Sequence, residues 1–464
     1  MVTAELPAAK GAQADATLSE RFARFVAGLV FADLPPAVTE KARICLLHQL
    51  GMGLAAHGIA CVGQAAHIAA REQARPTATM LHGGERTSAM NAAFANGALF
   101  HARVQDDTHH TAHLGTAVIS AALAVAEERG ANGADLLAAM VAGYEIAGGL
   151  SREYTALTTP RGIRATGVFG VIGAAAAAAK LMGLNEADTA HALGIAAGFA
   201  CGTSEPFGAG SPEFHFNNGQ AAKNGILAAI MAEEGVTAAS TAFEGVAGYL
   251  QAYAGDRTEP FRAAAELGQT YEILNVNLKP LPVCAGNQVP VRNAKILAER
   301  IGDISQVQSI RIEMNPYEAN HPGIAGYGPF RNRVNTLMST PFCVALGLLG
   351  TDITLAAMES YDDPGVRRLV CLSKVVAADD LRMLQSRITV RLLDGSEFEN
   401  TLALGERDWR PSFAQEAGLL AAMNAEMPID AERLSDLVEH VQNIGEAASV
   451  DQLVWLCVAY PTEQ

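Results

Sequence analysis

Ala174-Ala175-Ala176-Ala177-Ala178-Ala179 is an unbroken run of alanine, followed by Lys180 and by a stop at Gly183. Alanine is the best helix former, and its small side chain lets neighbouring helices approach closely. A helix with such a smooth apolar surface is typical of the buried centre of a helical domain. The run therefore predicts a central helix surrounded by other helices.

The sequence around this run is helical over a long stretch. From Leu18 to about Leu250, small and apolar residues recur at helical spacing, as in Ala117–Arg129 and Gly133–Leu150. Asn132 and Asn185 each stand before acidic residues and predict helix N-caps. No β-alternation is visible before residue 270.

The pattern changes near residues 256–269. Gln308–Met314 and Ser386–Leu392 alternate with period two, and the second run leads through Asp394-Gly395 into Glu397–Glu399. An Asp-Gly pair between alternating runs predicts a β-hairpin.

Helical patterns lie before and between these strands, over Pro290–Arg300 and Pro341–Leu349, and Phe413–Ala448 is helical again. The tail is expected to pack back on the first region. The predicted fold is therefore mainly α, with a large all-helical domain (1–268 and 403–464) and a smaller α+β domain (269–402).

Composition limits the possible functions. Of the 464 residues, 50% are hydrophobic and 18% are charged, which is ample for a buried core and excludes a disordered chain. The 33 Lys and Arg residues against 49 Asp and Glu residues give a net charge of −16. An acidic surface repels polyanions, so nucleic acid is not expected as a partner.

Neither a membrane nor an oxidising compartment is indicated. No apolar run approaches the roughly 18–20 residues that a membrane span needs, and Met1–Ser19 lacks the apolar segment of a secretory signal. Seven cysteines are scattered without a CxxC pair, as in proteins with reduced thiols. We expect a soluble, cytoplasmic protein.

The densest polar cluster interrupts the helical pattern at residues 101–113. Four of the twelve histidines fall there, and burying so many ionisable groups is costly unless they line a wet cavity. The ionisable members are His101, Arg103, Asp106, Asp107, His109, His110 and His113.

Three interpretations of this cluster compete. The HxxxH spacing of His109 and His113 suits zinc, but no HExxH signature or third ligand is present. The cluster is otherwise an inert polar loop or a metal-free acid–base site. The last interpretation is preferred, because histidine titrates near neutral pH and a carboxylate beside it sets its tautomer.

Three further loops carry polar residues. Arg164 stands where the alanine-rich helix begins, and a helix N-terminus together with an arginine favours an anion. His215 lies in a polar break before another helix, and Lys279 is followed by prolines that would hold it rigidly. No GxGxxG after a strand, GxxxxGK[ST] or GxSxG motif occurs, so no nucleotide cofactor is predicted.

Several stretches resemble, in order from about residue 20 to 350, the MmgE/PrpD superfamily. Its members include 2-methylcitrate dehydratase, cis-aconitate decarboxylase and iminodisuccinate epimerase. The matching stretches include Ala92–Ala102, Asp106–Thr108, Gly130–Glu145, Phe243–Gly245 and Lys279-Pro280.

The resemblance implies a large helical domain, an α+β lid and an active site in the cleft between them, in a homodimer. It also implies cofactor-free and metal-free proton chemistry on small di- or tricarboxylic acids, although an iron requirement is attributed to some dehydratase relatives.

His113 matches the family's active-site histidine, Thr108 its threonine, Lys279 its lid lysine and Tyr144 the tyrosine of a Gly-Tyr-Glu motif. Asp106 and Asp107 match an acidic pair.

The chain departs from the family pattern at four positions. Val104 replaces an acid, Arg164 replaces a histidine, Phe214 replaces a lysine with His215 beside it, and Cys284 aligns with a second lid histidine. These changes argue against ordinary methylcitrate dehydration and cis-aconitate decarboxylation.

The substrate expected from these changes carries several carboxylates. Arg103 and Arg164 would add cations to Lys279, and arginine binds carboxylates bidentately, unless the two arginines pair instead with Asp107 or Glu153. Iminodisuccinate, with four carboxylates, fits this demand. The sequence therefore predicts a substrate-binding group of Arg103, Asp107, Thr108 and Arg164.

The predicted activity is that of an epimerase, an isomerase that removes and returns a proton α to a carboxylate. His113 is the expected base, and Lys279 and Arg164 would stabilise the carbanion. The second acid would be Tyr144, His109, His215 or Lys279. A dehydratase ranks second and a decarboxylase third, and a polycarboxylate-binding protein without activity is the non-enzyme alternative.

Overall fold

The first part of the chain is built from α-helices. The computed structural model of the protein describes residues 16–459. Its first helices are α1 (Leu18–Gly28), α2 (Pro36–Ala55), α3 (Ala60–Ala70), α4 (Ala89–His101), α5 (Leu114–Arg129), α6 (Gly133–Thr158), α7 (Ala165–Leu181), α8 (Glu186–Gly198), α9 (Glu205–Ala209) and α10 (Phe214–Glu233).

The alanine run lies in α7, at the centre of this helical part. Every residue of α7 from Ala165 to Ala179 is buried, and the helix packs against α5, α6 and α10. Small side chains lose little conformational entropy on folding, and they let the helix axes come close. The predicted central helix is confirmed.

The helices α4 and α10 approach each other closely. A Cβ atom built on Gly219 would lie 2.1 Å from the Phe94 carbonyl oxygen, and one on Gly97 would lie 2.7 Å from the Gly219 Cα. Only glycine fits at either position without moving a backbone.

The second part of the chain combines helices with a sheet. Short strand pairs precede it, β1 (Ala78–Thr79) with β2 (Arg86–Thr87) and β3 (Asp107–Thr108) with β4 (Asn277–Leu278). Its own elements are α11 (Ala285–Ile301), β5 (Val307–Met314), α12 (Pro316–Ala319), α13 (Arg333–Met338), α14 (Thr340–Leu348), α15 (Pro364–Leu372), β6 (Ser373–Ala377), β7 (Gln385–Leu392) and β8 (Glu397–Ala403).

These strands form a four-stranded sheet in the order β6-β5-β7-β8. β5 runs parallel to β6 and antiparallel to β7, with Ile312 opposite Ile388. β7 and β8 form the predicted hairpin, and its turn residue Gly395 has a φ of 87°. A positive φ is the reason for glycine after Asp394.

The tail returns to the helical part. Its helices are α16 (Glu406–Trp409), α17 (Phe413–Ala422), α18 (Ala431–Gln442) and α19 (Asp451–Cys457). α17 and α18 pack against α2, and Phe413, Leu420 and Leu437 join the first hydrophobic core. The expected packing of the tail is confirmed.

Most predicted elements are present. The Asn132 and Asn185 side chains cap α6 and α8 by accepting from the backbone N–H groups of Asp135 and Asp188, at 2.8 and 3.0 Å. The mainly α fold with a smaller α+β part is confirmed.

Two predictions about elements are wrong. The helical pattern does not continue to Leu250, because α10 ends at Glu233 and turns containing Gly235, Gly245 and Gly248 follow. Strands do occur before residue 270, but β1, β2 and β3 are two residues long and show no periodicity to detect.

Three hydrophobic cores are found among the described residues; one is a small, alanine-rich cluster within the helical part, and the other two correspond to the two parts of the chain. Of these two, one is formed by the helices before residue 279 and the tail, and the other by residues from Val283 to Leu392 with Val104 and Phe214. The domain boundaries at 268/269 and 402/403 stay a prediction. The N-terminal segment expected to lack a secretory signal lies largely outside the described residues.

Among residues 16–459, no single helix is both long and apolar enough to cross a membrane. α2 and α3 reach the required length and apolarity only together, as a pair bent by 97°.

Replacing Gly219 by alanine tests the α4–α10 contact. Because the new methyl group meets the Phe94 backbone, we expect Gly219→Ala to lower the free energy of unfolding by about 1–3 kcal/mol. The measurement is urea denaturation followed by circular dichroism. Gly198→Ala in α8 is the matched control, since nothing lies within 4 Å of its Cβ position; a similar loss in both variants would contradict the contact's importance.

Candidate active site

A cavity of about 580 Å³ lies between the two hydrophobic cores. Ile163 and Ala165 line it from the first core, and Phe214, Ile324 and Met338 line it from the second. A volume in this range is typical of binding sites for small molecules.

Two long helices begin at this cavity. His113 precedes α5 and Arg164 precedes α7, and both residues line the cavity. The backbone N–H of His113 donates to Thr166 Oγ1 at 2.9 Å, which ties the two helix starts together. Helix N-termini carry partial positive charge, so both favour an anion here.

A fully buried carboxylate, Asp106, organises the residues behind the wall. Its Oδ1 lies 2.9 Å from Lys279 Nζ, and its Oδ2 lies 2.7 Å from His101 Nδ1 and 3.3 Å from His113 Nδ1. Burial by itself would raise the pKa of Asp106, but these neighbours hold that pKa well below its usual value. Asp106 is therefore an anion that accepts from Lys279 and His101 and lies within ion-pair distance of His113.

The partners of His101 determine its tautomer. Since the Asp106 carboxylate only accepts, His101 Nδ1 carries the proton, and its Nε2 accepts from Arg164 NH2 at 2.9 Å. Burial, with Arg164 and His113 nearby, lowers the pKa of His101 well below its usual value although Asp106 opposes the shift. The imidazole is neutral and links Asp106 to Arg164.

His113 is held in the same tautomer by its backbone contact. Its Nδ1 lies 2.8 Å from the Asp107 carbonyl oxygen, which can only accept. Nε2 is thus the unprotonated nitrogen, and the side chain keeps 15% of its surface exposed at the cavity. Burial, then Lys279 and Arg164, lower the pKa of His113 to about 4 despite Asp106.

Arg164 is a buried cation facing this neutral pair. Its guanidinium donates to the Phe214 carbonyl and to His101, and its Nε has no partner among the described residues. Within residues 16–459 no carboxylate forms an ion pair with it, so neither Asp107 nor Glu153 neutralises it. Burial lowers the pKa of Arg164 to about 9, which still leaves it charged at neutral pH.

Asp107 lies behind His113, in a second buried group. Its carboxylate accepts from the Tyr144 hydroxyl at 2.8 Å and from the Gly115 N–H at 2.9 Å. Burial and the neighbouring Asp106 raise the pKa of Asp107 to about 6. A Cβ on Gly115 would lie 2.3 Å from the Tyr144 hydroxyl, so glycine is required for this packing.

A third histidine, His109, lies on another part of the wall. Its Nε2 donates to Glu272 at 3.0 Å, and Arg152 pairs with the same carboxylate. Burial, then Arg152 and Arg410, lower the pKa of His109 to about 3, so the ring is neutral. Unlike Arg164, Arg152 already has carboxylate partners.

Backbone strain is concentrated at this cavity. Among residues 16–459, the non-glycine residues with positive φ are Val104 (56°), His110 (53°) and Leu384 (57°), and all three line it. For a β-branched residue such as Val104 this conformation is costly. Strain of this kind persists mainly where the surrounding structure holds a functional geometry.

The residues present fit a metal ion poorly. His101, Asp106 and His113 offer ligand atoms within 4.8 Å of one another. However, Lys279 is bonded to Asp106 and Arg164 to His101, so two cations already use the donor atoms that an ion would need. The absence of a metal and of a cofactor stays a prediction.

The structure brings four of the predicted site residues to the cavity wall. They are His113, His109, Thr108 and Arg164. Thr108 belongs to β3, which pairs with β4, and its hydroxyl donates to the His110 carbonyl at 2.7 Å.

The other predicted residues do not line the cavity. Lys279 is fully buried behind Asp106, Tyr144 and Asp107 pair behind His113, and His215 is buried beside Phe214. Arg103 points elsewhere: it donates to Gln105, to the Ala55 carbonyl and to Glu426. Direct contact of these five side chains with a substrate would need a rearrangement.

Sequence reasoning missed other members of the site. His101 stands in the quoted cluster but had no assigned role, although its spacing from Asp106 was the available signal. Arg152 and Glu272 are 120 residues apart, and Tyr317 and Glu318 come from the α+β part. Nothing local marks these four as partners or wall residues.

Comparison with known proteins places the chain in a family. The MmgE/PrpD N-terminal domain matches residues 20–261. A cis-aconitate decarboxylase-like protein, oryM, of Aspergillus oryzae is 24% identical, over 95% of this chain and 97% of its own. Human cis-aconitate decarboxylase is 26% identical over 95% and 94%, and that of Aspergillus terreus is 24% identical over 75% and 74%. The chain belongs to the MmgE/PrpD family.

Proposed function

We propose that the chain is a lyase that decarboxylates a polycarboxylic acid of the cis-aconitate type. The observation that carries this is Arg164, a buried guanidinium without a carboxylate partner, beside neutral His113 in one cavity. A buried cation of this kind is stabilised by an anionic ligand. The relatives named above support a lyase acting on a carboxylated alkene.

In this reaction one carboxylate leaves as carbon dioxide. The electron pair of the broken C–C bond forms a new double bond, and the pair of the old double bond moves to the carbon α to a second carboxylate. That carbon then takes a proton. Arg164 would bind the second carboxylate and stabilise the charge that develops on it.

His113 would deliver the proton. In the free protein the pKa of His113 is about 4, but a polyanion beside Nε2 favours the imidazolium. The histidine would therefore take up a proton as the substrate binds and pass it to the α-carbon. Asp106, at 3.3 Å from Nδ1, would stabilise the imidazolium during this step.

A dehydratase is the second candidate, because the resting His113 is already a free base. It would remove a proton α to a carboxylate before a β-hydroxyl leaves. The epimerase expected from the sequence, with iminodisuccinate as substrate, finds no support among the relatives, and a lyase is closer to them. The homodimer and the cytoplasmic location stay predictions.

The activity of the His113→Asn variant tests the proposed decarboxylation. Protein treated with EDTA would be incubated with cis-aconitate, citrate or methylcitrate in D₂O, and the products followed by proton NMR and by carbon dioxide release. We expect decarboxylation with one deuterium in the product, and a loss of about 100-fold or more in kcat for His113→Asn. His67→Asn, an exposed histidine in α3, is the matched control and should keep full activity.

Other outcomes of this assay distinguish the alternatives. Water loss from citrate or methylcitrate without carbon dioxide would favour the dehydratase. Binding without turnover in both the unmodified protein and the variant would support a pure polycarboxylate-binding protein and contradict catalysis.

The pH dependence of kcat/KM tests the role of His113. If His113 is the acid, its protonated fraction in the free enzyme falls tenfold per pH unit above a pKa of about 4. We therefore expect kcat/KM for decarboxylation to fall between pH 6 and 8 by about 100-fold, after correction for substrate ionisation. A profile that is flat over this range would show that His113 acts as a base instead.

A further inference from the structure

We propose that Arg103 and His48 are positioning residues, which hold the loop before Asp106 against the C-terminal tail and thereby orient the Asp106 carboxylate towards its partners. The loop, residues 102–106, runs from the end of α4 to the start of β3. The inference rests on the proposed function, since it names residues that act on the same site through Asp106. Neither positioning side chain lines the cavity.

The loop is bent at Val104 in a conformation that it would not adopt by itself. Val104 has a φ of 56°, which a β-branched residue tolerates poorly. Its backbone N–H donates to the His101 carbonyl at 2.9 Å, and its side chain lines the cavity. Asp106 stands only two residues further on. A strained bend persists where its surroundings hold it, so contacts on either side of Val104 must supply the restraint.

Arg103 holds the loop on one side of this bend. Its guanidinium donates to Glu426, in the turn after α17, at 2.7 Å and to the Ala55 carbonyl, at the end of α2, at 3.3 Å. Its Nε donates to Gln105 Oε1 at 2.6 Å. The side chain is 2% exposed, so the Glu426 carboxylate neutralises a buried cation while the other two acceptors fix its direction.

Gln105 holds the loop on the other side of the bend. Its amide nitrogen donates to the Pro280 carbonyl at 2.8 Å and to the Met423 sulfur at 3.7 Å. Pro280 follows Lys279, whose ammonium group lies 2.9 Å from Asp106. Gln105 and Asp106, two consecutive residues of the loop, therefore bind two consecutive residues that lead into the α+β part.

His48 joins the backbone of the same loop to α17. Its Nε2 lies 2.8 Å from the Gln105 carbonyl oxygen and its Nδ1 lies 2.9 Å from Glu416 Oε1. Both partners only accept, so both ring nitrogens donate and the ring is an imidazolium. Burial acts to lower the pKa of His48, but Glu416 and the Gln105 carbonyl outweigh it and raise that pKa. Both members of this ion pair are buried, so removing one would leave the other charge uncompensated.

A purely structural role of these contacts would have different consequences. Contacts that only join the tail to the helical part would add stability and leave the folded site unchanged when they are lost. Contacts that set the position of Asp106 would alter the His101 and His113 rings in protein that is still folded, because Asp106 faces both rings. Measurements on the folded state therefore separate the two roles.

Removing the Arg103 side chain tests the restraint. In Arg103→Ala we expect the ring ¹⁵N signals of His101 and His113 to shift. We also expect kcat for cis-aconitate to fall by about tenfold or more, with KM changed by less than about threefold. Arg129→Ala is the matched control, because it also removes an ion pair of 2.7 Å, with Glu233, and neither residue lines the cavity. Unchanged ring signals and kcat in folded Arg103→Ala would overturn the inference.

Two substitutions of Glu416 test His48 and do not depend on the folding of Arg103→Ala. Glu416→Gln keeps the geometry, because the new amide can donate to Nδ1 of a neutral His48 whose Nε2 still donates to the Gln105 carbonyl. Glu416→Ala leaves Nδ1 without this partner. We expect kcat to be at least about fivefold higher in Glu416→Gln than in Glu416→Ala. Equal kcat in the two folded variants would overturn the role assigned to His48.

Ring signals and carbon dioxide release together separate this inference from the proposed function. Shifted His101 and His113 signals in Arg103→Ala, with no release from cis-aconitate by the unmodified protein, would support the positioning role and contradict the decarboxylase. Release by the unmodified protein, with unchanged signals and kcat in Arg103→Ala, would support the decarboxylase and contradict the positioning role.

Discussion

The site depends on one buried anion, the Asp106 carboxylate. It stabilises Lys279 at 2.9 Å, orients the His101 imidazole through Nδ1 and lies 3.3 Å from Nδ1 of His113. Because Asp106 fixes His101 with Nε2 as acceptor, Arg164 can donate to it and stay on the cavity wall. Leaving Lys279 or Asp106 buried without the other would be strongly unfavourable, so this pair also joins the second part of the chain to the first.

The positive charge at the cavity contrasts with the net negative charge of the whole chain. A net charge of −16 acts against the approach of a polycarboxylate, so the attraction must be local. Arg164 and the N-termini of α5 and α7 supply it at one end of the cavity. Meanwhile Arg103 and Arg152, which could have added to that field, are paired with Glu426 and Glu272. Arg164, which forms no ion pair with a carboxylate of residues 16–459, therefore matters more than the number of arginines.

Sequence reasoning succeeded where the signal is local and periodic. The alanine run predicted the core helix, and the alternation ending at Asp394-Gly395 predicted the hairpin. It named His113 and Arg164, which line the cavity, but it also assigned Lys279 and Arg103 to the substrate, because their partners Asp106 and Glu426 lie 173 and 323 residues away. Such contacts between distant residues decide which cation is neutralised by a carboxylate and which one faces the cavity. No local sequence pattern shows these contacts.

The most direct test of this account is the protonation of the histidine ring nitrogens, measured by ¹⁵N NMR at pH 7. The account predicts that His101 and His113 are both neutral, with the proton on Nδ1, and that Asp106→Asn alters the His101 signals most. A protonated Nε2 on His113, or an imidazolium at either residue in the free protein, would contradict it. Unchanged His101 signals in Asp106→Asn would contradict the role of Asp106 as the organising anion.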